Sequence, residues 1–193
     1  MPNLTAEEYF KQGVDYYENK QFQEALQCFQ KCVELNPEFV KAWNNLGVVQ
    51  SDLENNKEAE QSYEQALLLN REHVSAWYNL GNVQSDLGNN KEAEQSYEQA
   101  LLLNPEYVKA WYGLGLVQSY LGNKKAAEQS YFCSRINTLW YFSRHSISVR
   151  SSLFGRTLYR LFRTKQRTAF HPHLQGIQNR LFDVFGSSQR KNG

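Results

Sequence analysis

Long apolar runs are missing from this chain. Nowhere in its 193 residues does one approach the ~18–20 needed to cross a bilayer, so a transmembrane helix is excluded. A basic-then-apolar leader is missing too. Met1-Pro2-Asn3-Leu4-Thr5-Ala6-Glu7-Glu8 is polar and acidic, and secretion is not expected. Cysteine is scarce. Three in a chain of this length make no disulfide framework, and a reducing, cytoplasmic setting is the expectation. Acid is almost absent from one end. From Ser130 onward 11 Lys/Arg stand against one acid, Asp183, a net of +10; up to Gln129, 10 Lys/Arg stand against 19 Asp/Glu, a net of −9. The overall charge of +1 hides two segments of different origin or different work.

What the chain does have is a repeat. Trp43, Trp77 and Trp111 are spaced by 34 residues, as are Gly47, Gly81 and Gly115, Ala59, Ala93 and Ala127, and Tyr63, Tyr97 and Tyr131. Lys57 to Asn70 recurs unchanged as Lys91 to Asn104. One step back from Trp43 lies Tyr9, with Gly13, Ala25 and Phe29 in register. The repeats run 6–39, 40–73 and 74–107, with an incomplete fourth at 108–131, a short cap at 1–5 and a tail at 132–193.

Each repeat reads as two helices. In the third, Ala76, Leu80, Val83 and Leu87 recur at three- and four-residue steps, and Ala93, Tyr97, Ala100, Leu101 and Leu103 make a second stripe. Gly88-Asn89-Asn90 supplies the turn between them. Asn104-Pro105 ends the second helix, because proline disfavours helical geometry in the residue before it. Thr5 followed by Glu8 has the spacing of a capping box. Gly81 and Ala93 mark a close approach of two antiparallel helices. One pair cannot bury its apolar face alone, so the pairs must stack.

The order Trp77-Tyr78-Asn79-Leu80-Gly81, then Ala93, Tyr97, Ala100 and Pro105, resembles the tetratricopeptide repeat. Departures are local: Arg71 for proline, Cys32 for a small alanine, and Gln50, Gln84 and Gln118 for tyrosine. The resemblance implies an all-α solenoid of antiparallel helix pairs, with an irregular or weakly helical tail. It also implies a non-enzymatic interaction scaffold that holds a peptide or partner helix in a concave groove. On that mapping the groove takes Lys41, Asn44, Asn45, Val48 and Asp52 from the second repeat. Ser75, Tyr78, Asn79, Asn82 and Asp86 come from the third, and Lys109 and Tyr112, with Gly113 and Leu116, from the fourth. Phe10, Lys11, Val14 and Tyr17 are the places in the first.

Asn45 and Asn79 hold equivalent places. An amide offers two donors and an acceptor, enough to grip a peptide backbone of any sequence. They resemble the asparagine ladder in the repeats of protein O-linked glycosyltransferases, cut short here by Lys11 and Gly113. The alternative is that they are solvated or bonded within the protein. The places of the cationic clamp for heat-shock chaperone tails hold Phe10, Val14, Asn45, Ser75 and Asn79. None is Lys or Arg, which excludes that clamp. Asp52 with Asp86, and Glu58 with Glu92, recur because the repeat recurs, and no catalytic residue is expected. Cys28 and Cys32 read as buried thiols. His171-Pro172-His173 falls short of a metal site, and neither metal nor cofactor is expected.

After Tyr131 the pattern gives way to Phe132-Cys133-Ser134-Arg135-Ile136-Asn137-Thr138. Codons for these seven can be chosen so that a one-nucleotide shift reads Phe-Ala-Leu-Glu-Leu-Ile-Pro, a normal ending for the repeat. We therefore expect a foreign or frameshifted tail, trimmed by protease to a core ending near 129–135. The fourth repeat, left without its second stripe, would then be the weakest. The competing reading is an evolved basic segment. Leu153 to Arg167, as a helix, would suit an anionic membrane surface or nucleic acid, though nucleic acid is not the partner expected first. A second alternative is an adaptor fragment of a larger repeat-containing enzyme such as a glycosyltransferase. The sequence names no partner and sets no oligomeric state.

Overall fold

The computed structural model describes residues 4–145, and the side chains of 4–135, 137 and 138. The Leu153–Arg167 segment and His171-Pro172-His173 lie outside the described residues. There are eight helices and no strand among the described residues: α1 (Ala6–Glu18), α2 (Phe22–Leu35), α3 (Val40–Asp52), α4 (Asn56–Leu69), α5 (Val74–Asp86), α6 (Asn90–Leu103), α7 (Val108–Tyr120) and α8 (Lys124–His145). The odd-numbered helices open the repeats at residues 6, 40, 74 and 108, where the 34-residue arithmetic puts them. The chain forms two compact units, one up to Ser96 and one from Tyr97.

In the N-terminal unit α1 packs on α2 and α3 on α4, while α2 meets α3 and α4 meets α5. Phe29, Cys32, Ala42, Leu46 and Val49 form one core, with Ala6 and Ala25. Tyr63, Ala66 and Leu67 join Ala76, Leu80 and Val83 in a second. Burying a large side chain such as Phe29 is worth about 1.5–3 kcal/mol. Glycine permits the contact: a Cβ at Gly47 would stand 2.7 Å from Cε1 of Tyr63.

The ends of the helices follow local chemistry. Thr5 Oγ1 accepts from Glu8 N, and the Glu8 carboxylate accepts from Thr5 N at 2.8 Å, completing the capping box. That backbone bond holds the Glu8 carboxyl below its ordinary pKa. His73 caps α5 through Nδ1, which accepts from Ala76 N at 3.2 Å. Burial lowers the imidazole's pKa and favours the neutral form that can accept.

Each turn inside a repeat needs one left-handed residue, at positions 34 apart. The third and fourth repeats use Gly88 (φ 81°) and Gly122 (φ 78°), while the first and second use Lys20 (φ 60°) and Glu54 (φ 61°). At each joint between repeats the tryptophan indole donates to the carbonyl six residues back: Trp43 to Pro37 at 2.7 Å, Trp77 to Arg71 at 2.8 Å and Trp111 to Pro105 at 2.8 Å. The acceptor is backbone, so Arg71 serves as well as proline.

The three glutamines that stand in tyrosine's place have a buried partner. Ser62, Ser96 and Ser130 donate to Gln50, Gln84 and Gln118 at 2.6, 2.7 and 2.8 Å. The first repeat carries Tyr16 and Cys28 at the same two places, so the pair is exchanged as a set.

In the C-terminal unit α7 packs on α8, and Trp111, Leu114 and Val117 are fully buried. On the same two helices Tyr112, Tyr120 and Phe132 stay exposed. α8 runs 22 residues, against 14 for α6. No glycine or proline interrupts it, and Ala127, Ser130, Ser134 and Asn137 keep small or polar residues on the buried face. Ser134 Oγ donates to Val108 O at 3.4 Å and Asn137 Nδ2 to Pro105 O at 3.1 Å. Helix therefore continues for 14 residues past the end of the repeat pattern at Tyr131.

Candidate functional site

The mapped residues lie on α3, α5 and α7. In the N-terminal unit Lys41, Asp52, Ser75 and Asp86 are exposed, while Asn44, Asn45, Val48, Tyr78, Asn79 and Asn82 are half-buried. Val48 packs against the α4–α5 core, so it supports the face from below. In the C-terminal unit Lys109 and Tyr112 are exposed. The Tyr112 ring lies 5.6 Å from that of Tyr131. Gly113 is buried, and a Cβ there would stand 2.7 Å from Cζ of Tyr97. It is a packing position, not a lining one.

The structure brings three asparagines together. Asn79 Nδ2 donates to Asn44 Oδ1 at 3.5 Å, and Asn44 Nδ2 donates to Asn45 Oδ1 at 3.3 Å. Both bonds are long for N–H···O and easily exchanged. They leave Asn45 Nδ2 and Asn79 Oδ1, one donor group and one acceptor, without a partner among the described residues. The bonded-within-protein alternative is thus satisfied in part, and amide capacity remains on both equivalent residues.

At the other end of α3 the Tyr17 hydroxyl donates to Asp52 Oδ2 at 2.8 Å. Burial and that bond push the phenol pKa up to about 12. This contact couples residues 35 apart, not 34, so the repeat arithmetic gives no sign of it. Cys28, Cys32 and Cys133 are free and buried. Burial raises all three thiols, Cys32 to about 11 and Cys133 to about 12. They pack as small hydrophobes. Among the described residues no three of His, Cys, Asp and Glu cluster to hold a metal. No helix among them is long and apolar enough to cross a membrane.

A family model for the tetratricopeptide repeat matches residues 6–39, 40–73 and 74–107, and a second model of the same repeat matches 108–131. A comparison with curated proteins finds no match. Among solved structures, MamA is 22% identical with a TM-score of 0.67, over 69% of this chain and 78% of that one. The first such domain of Spaghetti (RPAP3), bound to the HSP90 peptide SRMEEVD, is 24% identical with a TM-score of 0.60, over 61% and 94%. The second such domain of human RPAP3, in complex with the HSP70 peptide SGPTIEEVD, is 23% identical with a TM-score of 0.57, over 58% and 94%. At these identities the likeness is one of fold. The family models, matched in unbroken succession over more than half of the residues, carry the assignment: the chain belongs to the tetratricopeptide repeat family.

Proposed function

We propose that this protein is a non-enzymatic interaction scaffold that holds an extended peptide on the faces of its first helices. The partly unpartnered amides of Asn45 and Asn79 carry this reading, at equivalent places on α3 and α5. They offer a donor and an acceptor suited to a peptide backbone whatever its side chains. Two solved relatives in fold hold peptides, which supports a peptide as the kind of partner. The peptides named there end in acidic residues. The corresponding clamp places here hold Phe10, Val14, Asn45, Ser75 and Asn79, and Lys41, Lys109 and Tyr112 lie outside them. A different partner follows. Buried, unpaired thiols suit a reducing, cytoplasmic setting.

The test is the double substitution Asn45→Ala/Asn79→Ala in the full chain, with partners recovered by pull-down. Every partner should weaken, at about 0.5–1.5 kcal/mol per lost hydrogen bond. Thermal stability should barely change, because neither residue belongs to the core. A double variant that keeps all partners removes the amides from the site.

A further inference from the structure

Two first helices, α3 and α5, treat the macrodipole differently from the second helices. Acids favour a helix N-terminus and oppose a C-terminus. The second helices comply: Glu24, Glu58 and Glu92 sit in the first turns of α2, α4 and α6. α3 and α5 do the reverse, each ending on an aspartate, Asp52 and Asp86, with no basic residue in the last turn. Asp52 and Asp86 are exposed, and neither meets a Lys or Arg among the described residues. Placement against the dipole works against helix stability at both places.

Asp52 is moreover held in place. The Tyr17 hydroxyl fixes Oδ2 at 2.8 Å, and Oδ1 keeps no partner among the described residues. The surroundings reinforce the sign: residues 1–96 hold 7 Lys/Arg against 16 Asp/Glu, a net of −9. A cation arriving at the end of α3 or α5 meets a carboxylate and a helix C-terminus, with Lys57 and Lys91 opening the helices that follow.

We infer that the α3–α5 face selects a basic extended peptide, with Asp52 and Asp86 pairing Arg or Lys side chains while Asn45 and Asn79 hold its backbone. This rests on the scaffold reading above and names the partner's chemistry. Guanidinium suits it, since its planar donors fit a carboxylate. In an extended chain every second side chain faces the same way, about 7 Å apart. A peptide of alternating Arg and Ser therefore offers a guanidinium row to one face.

The probe is a fluorescein-labelled (Arg-Ser)4 octapeptide, followed by anisotropy on the full chain at low and at moderate salt. The parent protein should bind it, and more weakly as salt rises. Asp52→Asn/Asp86→Asn should weaken binding at least tenfold. Glu58→Gln/Glu92→Gln removes the same charge from the second helices and should change it less than twofold. Equal losses in the two double variants would mean diffuse attraction and would overturn the proposal, as would an octapeptide that does not bind. The scaffold reading is judged separately. Loss of pulled-down partners in Asn45→Ala/Asn79→Ala, with no octapeptide binding, keeps the scaffold and removes the basic partner.

Discussion

A single residue shows where this sequence works against its own backbone. Glu54 sits at φ 61°, in the left-handed region, which costs a residue with a Cβ about 1–2 kcal/mol. The third and fourth repeats spend a glycine at the same place. Glu54→Gly should therefore stabilise the protein by about 0.5–1 kcal/mol, after subtracting glycine's extra chain entropy. A urea midpoint that stays or falls would show that the Glu54 side chain supplies something the turn needs. The turn at Gly88 was legible because glycine punctuates it. The one at Glu54 was legible only through the 34-residue register. The contact of Tyr17 with Asp52 was not legible, because it follows how two helices lie together and no periodicity encodes that.

At the scale of the element, the Gln–Ser pairs tie the two helices of a repeat through one buried bond each. Ser62→Ala leaves Gln50 Oε1 buried without its 2.6 Å donor and should cost about 1–3 kcal/mol. Gln50→Tyr/Ser62→Cys installs the first repeat's own solution and should recover most of that loss. A double variant no better than the single would mean the two residues are not coupled.

The extension of α8 gives a second element-scale expectation. Cys133 is buried and its thiol raised to about 12. In the folded chain it should alkylate with iodoacetamide far more slowly than in urea, read by peptide mass spectrometry. Equal rates would mean that the helix beyond Tyr131 is not docked. The expected proteolytic boundary near 129–135 takes in Arg135, which is exposed between two buried residues, Ser134 and Asn137. The sequence showed the pattern ending at Tyr131 and left the helix unannounced. Helix needs only the absence of breakers and a face that fits, and Ser134 and Asn137 supply the fit through polar bonds that a search for apolar stripes passes over.

For the whole molecule, repetition made the architecture readable. Four tryptophan-or-tyrosine starts 34 apart fix eight helix boundaries at once, and each confirms the others. The peptide face was less readable, because the same register that aligns Asn45 with Asn79 aligns every other position with equal force. Only the bonds separate amides that are committed from those that are not. The indole-to-carbonyl bond has a consequence for how such a chain comes to exist. Donor and acceptor are six residues apart, so a joint is written wholly within one short stretch of gene. A duplicated 34-residue segment carries its own coupling with it and asks nothing of its new neighbour beyond a carbonyl. Length can then change by unequal recombination without redesigning any seam, and the unchanged copy of Lys57–Asn70 at Lys91–Asn104 is the mark such an event leaves.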